Sequence, residues 1–155
     1  MIVGKKFPTI RAESLSGKEV TLPDDISSET ALIGIAFVRK AQPMLDSWLE
    51  PFEDVCKGES IYEVPMIEGA FWKIFSGFID GGMRAGIPED KHDNVMTFYG
   101  NASEIRKELD MDDKSLGYVF LLDDDGIIQF SGKGYAEEKE LEKMMSKIRN
   151  VCNLK

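Results

Sequence analysis

The chain has 155 residues, of which 43% are hydrophobic and 30% are charged, as is ordinary for a soluble globular protein. With 28 acidic and 19 basic residues the formal net charge is -9, so the average field repels nucleic acid and anionic lipid, and we expect neither as a partner. This length predicts one domain over residues 1–155, and no apolar run approaches the roughly 20 residues that a transmembrane segment needs.

The N-terminal third of the chain predicts a hairpin, a buried strand and a helix. Thr9–Ser14 and Glu19–Leu22 flank the turn sequence LSGK and are expected to pair. Ala31–Val38 is apolar throughout, which is typical of a strand covered on both faces of a sheet. A helix is predicted from Pro43, and Pro51 is expected to kink or break it. The inward face of this helix is predicted to hold Leu45, Trp48, Leu49, Phe52 and Val55.

The middle of the chain predicts a second strand of the sheet and then an aromatic insertion. Gly58 is expected to end the first helix, and Ile61–Ile67 alternates as a strand does. An insertion follows over residues 68–93, in which apolar side chains recur at helical spacing until Gly81–Gly82 ends the helix. Trp72 falls off this apolar stripe and is expected to be a partly exposed anchor for a protein partner, unless the whole segment simply covers the sheet. The stripe comprises Ile67, Phe71, Ile74, Phe75, Phe78 and Ile79.

The C-terminal part predicts a third strand, a short helix, a hairpin and a last helix. Asn94–Tyr99 is the strand, and Asn101 or Ser103 is expected to cap the short helix. The run GYVFLLDDDGIIQFSGKG predicts two strands joined by a tight type I′ turn at Asp125–Gly126, and a helix follows from Ala136. The order of elements predicts an α/β fold, with a central mixed β-sheet, helices on both faces and an N-terminal β-hairpin.

Several local sequences carry a family resemblance. They are FP followed by LSG near the start, WLEPF, VPMIEG, GIPEDKHDNVMTFYG, LGYVFLLDDDGIIQFSGKG and GYAEEKELEKM. Together with the order of elements, they resemble the mitochondrial assembly factors of the F-type ATP synthase, over nearly the whole chain from Phe7 to Leu141. This resemblance implies a thioredoxin-like sandwich in its peroxiredoxin-type elaboration, and a role in assembling the membrane sector of the synthase.

Two departures from a working thioredoxin are visible in the sequence. Gln42–Leu45, here called the former dithiol position, reads Gln-Pro-Met-Leu where thioredoxins carry their cysteine pair. Neither Gln42 nor Leu45 can form a thiolate, which is the species that reacts in disulfide exchange. Before the predicted hairpin, thioredoxins place a cis-proline against the dithiol, but this chain has Leu116-Gly117-Tyr118.

The two cysteines form neither a CxxC pair nor a metal-binding cluster. Cys56 is predicted at the C-terminal end of the first helix, where the helix dipole disfavours a thiolate, and Cys152 lies in the last residues of the final helix. We expect two reduced, partly buried thiols, although the sequence leaves a disulfide between them open.

These observations favour a redox-inactive, thioredoxin-like protein that binds another polypeptide. The resemblance implies that this partner is an unassembled subunit of a membrane complex, and no cofactor or metal ion is expected. We call the predicted binding surface the rim, because it surrounds the former dithiol position. The rim is predicted to comprise Arg39, Gln42, Trp48, Gly117 and Tyr118, together with Trp72, Arg84 and His92 from the insertion.

Other interpretations stay open. The chain is alternatively a thiol-dependent reductase or peroxidase that uses Cys56, or a non-redox enzyme in which His92 acts with Asp90 or Asp93. A third interpretation is a purely structural role within a constitutive oligomer. The pair Arg39 and Lys40 precedes a helix N-terminus, where it either binds an anion or is simply solvated.

The expected location is the cytoplasm of a prokaryote, or the mitochondrion if the family setting holds. The N-terminus MIVGKKFP shows neither a signal peptide nor an Arg- and Ser-rich transit peptide.

Overall fold

The computed structural model describes residues 2–57, 60–68, 82–83, 85–149 and 152. Most of the predicted helix over residues 67–79, including Trp72, therefore lies outside the described residues. Gly58 and Arg84 lie outside them as well. Among the described helices, none combines the length and the apolar character needed to cross a bilayer.

The centre of the fold is a mixed sheet of seven strands in the order β2-β1-β5-β4-β3-β6-β7. Strands β3, β4 and β5 run parallel, and all other neighbours are antiparallel. This arrangement confirms the predicted α/β fold with its N-terminal hairpin. The strands are β1 Ile10–Ser14, β2 Glu19–Leu22, β3 Thr30–Ala36, β4 Ser60–Ile67, β5 Met96–Tyr99, β6 Tyr118–Asp123 and β7 Ile128–Lys133.

In the part of the chain that the structure describes, three complete α-helices pack against the sheet: α1 Gln42–Val55, α2 Ser103–Glu108 and α3 Glu138–Ile148. Two 3-10 helices, Arg39–Ala41 and Glu89–Asn94, precede α1 and β5. Helices α1 and α3 bury their apolar residues in one core, on the sheet face that carries Leu32 and Val119. The other core holds the N-terminal residues and the end of α2. The sheet is thus covered on both faces, as predicted.

Helix α1 continues through Pro51, so of the predicted kink or break the break is wrong and the kink stays a prediction. A proline inside a helix costs roughly 3 kcal/mol. On either side of it, Leu49 and Phe52 are buried against the sheet, and burying each such side chain stabilises the fold by about 1.5–3 kcal/mol. Packing of the inward face therefore offsets the cost of the proline. The helix ends at Val55, before the predicted stop.

The predicted turn between β6 and β7 differs from the structure. A type I′ turn requires a positive φ at both central residues, but in the β6–β7 turn only Gly126 has one, with φ 77°. The Asp123 carboxylate accepts the N–H groups of Asp125 and Ile127, each at 2.9 Å, and this shapes a longer turn. The predicted helix end at Gly81–Gly82 stays a prediction, because the residues before Gly82 lie outside the described ranges.

The short helix α2 is held at its start by Asn101, one of the two predicted caps. The Asn101 Oδ1 atom accepts the Ser103 N–H at 2.9 Å, while the backbone position of the N-cap is taken by Ala102.

Candidate functional site

The former dithiol position forms the first turn of α1, directly after β3 and the short 3-10 helix. Pro43 suits this turn, because the N–H that it lacks would have no partner inside the helix. The side chain of Leu45 is buried against the sheet. The segment therefore lies at the loop and helix start where the sequence predicts it, with an amide, a ring, a thioether and an aliphatic side chain in place of thiols.

Gly117 lies against this turn, where a thioredoxin would have its cis-proline. A Cβ atom at residue 117 would come within 2.9 Å of Leu45 Cδ2 and 3.1 Å of the Ala41 carbonyl oxygen. The Gly117 N–H donates to the Met44 sulfur at 3.5 Å. Glycine thus allows the chain before β6 to pack directly on the former dithiol position, but Gly117 itself is buried and offers no side chain to a partner.

The exposed part of the rim is formed by the residues that enter α1. Arg39, Lys40, Gln42 and Pro43 are all exposed. The Gln42 amide nitrogen donates to Asp46 Oδ1 at 2.9 Å and to Glu63 Oε1 at 2.8 Å, so this side chain links α1 to β4. The structure therefore leaves Arg39 and Gln42 accessible, as a binding surface requires.

Trp48 is a core residue, which corrects its placement on the rim. Its side chain is 1% exposed, and its Nε1–H donates to the Gly134 carbonyl at 2.8 Å. The indole contacts the ring of Phe130, with 5.6 Å between ring centroids, and lies against Gly132. Both its apolar surface and its one donor are used inside the protein, so nothing of Trp48 is left for a partner.

Tyr118 is also buried, so its place on the rim is corrected as well. Its hydroxyl accepts the Asp113 N–H at 2.8 Å and donates to the Asp113 carbonyl at 2.9 Å. Burial raises the pKa of this hydroxyl above its ordinary value. Tyr118 therefore holds the loop before β6 in place and does not face a partner.

His92 lies in the 3-10 helix before β5 and is partly buried. Its Nε2–H donates to the Ile87 carbonyl at 2.8 Å. No carboxylate of the described residues is hydrogen-bonded to its ring, and its neighbour Asp93 pairs instead with Lys18 at 3.0 Å. This arrangement gives His92 a structural bond and lacks the oriented carboxylate that acid–base catalysis would use.

The cysteines are joined as Cys56–Cys152, so the expectation of two reduced thiols is wrong and the alternative left open is the one observed. Their Cα atoms lie 5.1 Å apart, inside the usual range for a disulfide. Each cysteine follows a buried residue of its helix by four positions, Phe52 in α1 and Ile148 in α3. This spacing places both sulfurs on the inward side of two helices that share a sheet face, which is a signal the sequence contained.

The model of one protein family, described as ATP10 protein, matches residues 4–151. The chain belongs to the ATP10 protein family. These proteins are assembly factors for the ATP synthase. No curated protein matches the chain.

Solved structures similar to this ATP10-family protein confirm the thioredoxin-like fold. A putative thiol:disulfide interchange protein DsbE from Chlorobium tepidum is 14% identical, with a TM-score of 0.60 and 97% of each chain covered. The C-terminal domain of a putative thiol-disulfide oxidoreductase from Bacteroides thetaiotaomicron is 17% identical, with a TM-score of 0.59, covering 96% of this chain and 97% of that one. A 2-Cys peroxiredoxin from Plasmodium vivax is 17% identical, with a TM-score of 0.55, and the match covers 99% of this chain and 100% of that one.

A groove that the sequence did not reveal runs beside α1 in this ATP10-family protein. Its volume is about 470 Å³, and it lies between α1, β4 and the 3-10 helix Glu89–Asn94. The apolar residues of its lining, here called the floor, are Leu49, Ile61 and Val95. Because its walls carry mostly carboxylates, we call it the acidic groove. These carboxylates belong to Asp46, Glu50, Glu53, Glu63, Asp90 and Asp93.

Glu63 is the most unusual member of the acidic groove. It lies on β4, a central strand, and its side chain shares the α1-facing side of the sheet with Ile61. Burial is the main cause that raises the pKa of its carboxyl above the ordinary value of 4.5. The negative charges of Asp46 and Glu53 raise this pKa further, whereas the hydrogen bond from Gln42 and the positive charge of Lys91 lower it. The folded protein thus holds a carboxylate where its charge is disfavoured, as is common at functional sites.

We expect Glu63→Gln to stabilise the folded protein at neutral pH. A raised pKa in the folded state means that the carboxyl's contribution to stability is fully present below 4.5 and is lost as the pH rises through the folded-state value. The amide removes that loss and retains a partner for Gln42. Thermal unfolding followed from pH 3 to 8 checks this result. The Tm of the variant should exceed that of the wild type at pH 7, and the difference should disappear in acid; a constant difference at every pH would contradict it.

Proposed function

We propose that this ATP10-family protein binds an unassembled polypeptide of the F-type ATP synthase membrane sector and holds it for assembly, without exchanging disulfides. The observation that carries the proposal is the former dithiol position. It keeps the location and the close packing against residue 117 that suit a thioredoxin-like fold, yet it has no group that can become a thiolate. The protein thus keeps the thioredoxin-like fold, whereas residues that cannot form a thiolate stand where the nucleophilic cysteines of a thioredoxin would be.

The disulfide does not restore the lost chemistry at this position. Cys56 follows the last residue of α1, and 14 residues at about 1.5 Å each put it roughly 21 Å along the helix from Gln42. Cys56 is buried and is already joined to Cys152. The alternative, a thiol-dependent oxidoreductase that uses Cys56, is favoured only by this bond and by the contribution of Cys56 to the wall of the acidic groove.

The surface proposed to contact the partner consists of exposed residues around Gly117. Val38 and Tyr135 are large hydrophobic side chains that are 43% and 60% exposed. Val38 precedes Arg39, and Tyr135 follows Gly134, whose N–H donates to the Gly117 carbonyl at 2.9 Å. An exposed aromatic and an arginine beside apolar surface are the side chains that most often dominate protein interfaces. Trp72 and Arg84 stay in the proposal as further contacts from the insertion.

The proposed location follows the family setting, which is the mitochondrion. A disulfide persists poorly in a reducing cytoplasm, so the Cys56–Cys152 bond favours an oxidising compartment over the prokaryotic cytoplasm.

Substitution of Val38→Ala with Arg39→Ala is expected to weaken partner capture by about tenfold, which corresponds to about 1.4 kcal/mol. The protein is expressed in its native host in place of the wild type, and assembled ATP synthase is measured on native gels beside the co-purified synthase subunits. The matched control is Val3→Ala with Lys5→Ala, another exposed apolar and basic combination.

The control should leave both readouts unchanged. Equal assembly with the Val38 and Arg39 variant, or with the gene removed, would contradict the proposal. Insulin reduction and peroxide consumption are measured with the purified wild type in parallel; turnover that disappears in Cys56→Ser would favour the oxidoreductase instead.

A further inference from the structure

The acidic groove has more negative charge than its own lysines neutralise. Among the described residues, the lysines that line the groove are Lys57 and Lys91, against six carboxylates. Lys91 pairs with Glu53 at 3.6 Å, and Lys18, which lies outside the lining, pairs with Asp93 at 3.0 Å. Asp46 and Glu63 both accept hydrogen bonds from the uncharged amide of Gln42, and neither forms an ion pair within the described residues. Within the described residues, this leaves several wall carboxylates without a cation.

The carboxylates of α1 are arranged along the groove. Asp46, Glu50 and Glu53 are spaced by four and three residues, which places them on one side of the helix, and they span about 10 Å of its axis. An extended polypeptide covers this length with about three residues, and its side chains point alternately to opposite faces. Apolar side chains would then contact the floor at Leu49 and Ile61, while cationic side chains reach the walls.

The groove is also linked to the former dithiol position by hydrogen bonds. Gln42 belongs to that position, and its amide contacts Asp46 and Glu63 at the end of the groove. A polypeptide held against the exposed residues around Gly117 would need to pass only Gln42 to reach the carboxylates of Asp46 and Glu63. A small cation would satisfy the charges but would leave the apolar floor uncovered.

We propose that the acidic groove binds an extended segment of the partner polypeptide in which lysine or arginine residues flank apolar ones. This inference rests on the proposed function, since it identifies the chemistry of the segment that the protein captures. Binding of such a segment brings a positive charge to Glu63, which burial alone leaves in an unfavourable environment.

The test uses a fluorescein-labelled peptide of alternating lysine and leucine, titrated against the full chain by fluorescence anisotropy. We expect Glu50→Lys with Asp90→Lys to weaken its binding by about tenfold or more, because like charges then meet across the interface. Glu29→Lys with Glu142→Lys is the matched control, since it changes the net charge equally at exposed positions outside the groove. Circular dichroism of each variant verifies that it is folded.

Other results of this test would overturn the groove inference or separate it from the proposed function. Binding that both lysine variants weaken equally would overturn the inference, since only the net charge would then matter. Equal binding of a peptide with glutamate in place of lysine would overturn it, as would displacement of the peptide by spermine at equal concentration.

If the Glu50 and Asp90 variant loses the peptide but still captures synthase subunits in the host, the groove inference fails and the proposed function stands. If the wild type captures no subunit, the proposed function fails, whatever the peptide does.

Discussion

Trp48→Ala is expected to lower the free energy of unfolding by about 3–5 kcal/mol, as is typical when a large buried aromatic side chain is removed. The indole is 1% exposed, packs on Phe130 and fills the space above Gly132. Its N–H satisfies the carbonyl of Gly134, which the substitution leaves without this donor. Denaturation by guanidinium chloride, followed by circular dichroism because the variant loses a main fluorophore, measures the change.

Trp48→Phe is the matched variant for this prediction. Phenylalanine keeps an aromatic ring against Phe130 but loses the donor to Gly134, so its cost should be clearly smaller than that of alanine. Should Trp48→Ala leave the denaturation midpoint unchanged and instead abolish partner capture, Trp48 would belong to the rim after all.

The burial of Trp48 was already contained in the helical pattern of the sequence. It shares one face of α1 with Leu45, Leu49 and Phe52, and all four are buried. The predicted rim nevertheless included Trp48, although the same pattern put it on the inward face of the helix. In a helix, direction around the axis decides what a side chain contacts, and Trp48 points to the sheet.

The order of the strands and helices could be predicted because the patterns that specify it are local. β3 is a continuous apolar run, whereas α1 and α3 have an apolar face at helical spacing. Tertiary contacts decided the features that were missed. Helix α1 passes Pro51 because its neighbours are buried, and the turn after β6 is longer because Asp123 binds two backbone N–H groups.

The acidic groove was invisible for a similar reason. The alternation of β4 is compatible with a strand whose polar side chains face solvent, so Glu63 did not stand out. Only the sheet order shows that β4 lies between β3 and β5, with α1 above the face that carries Glu63. A charged residue in a predicted central strand is therefore a useful signal for a candidate site once the fold class is known.

Removal of the disulfide by Cys56→Ala with Cys152→Ala is expected to lower the free energy of unfolding by about 2–4 kcal/mol. The bond closes a loop between residues 96 positions apart, and a chain-entropy model assigns about 4.7 kcal/mol to a loop of roughly this length. The cross-link joins the C-terminal ends of α1 and α3, so it restrains two helices that pack on the same sheet face. Guanidinium denaturation of the oxidised wild type and the double variant measures the loss.

The reduced wild type separates the bond from the side chains. If the cross-link is responsible, dithiothreitol should lower the midpoint of the wild type to near that of the double variant and leave the variant itself unchanged. Identical midpoints for oxidised and reduced wild type would contradict this prediction. Alkylation of the protein in native cells before lysis shows whether the thiols are protected there, as an oxidising compartment requires.

The same double variant discriminates between a binding protein and a thiol enzyme. The groove lies along α1, and its charged walls do not depend on sulfur; only the wall at Cys56 changes. Below its unfolding temperature, the variant should therefore bind the lysine-leucine peptide as the wild type does and should support synthase assembly in the host. An enzyme that uses Cys56 would lose its activity completely under the same conditions, because no other thiol of the chain can replace it. Stability and function are thus expected to separate at this pair, with the sulfur atoms stabilising the fold and the carboxylates binding the partner.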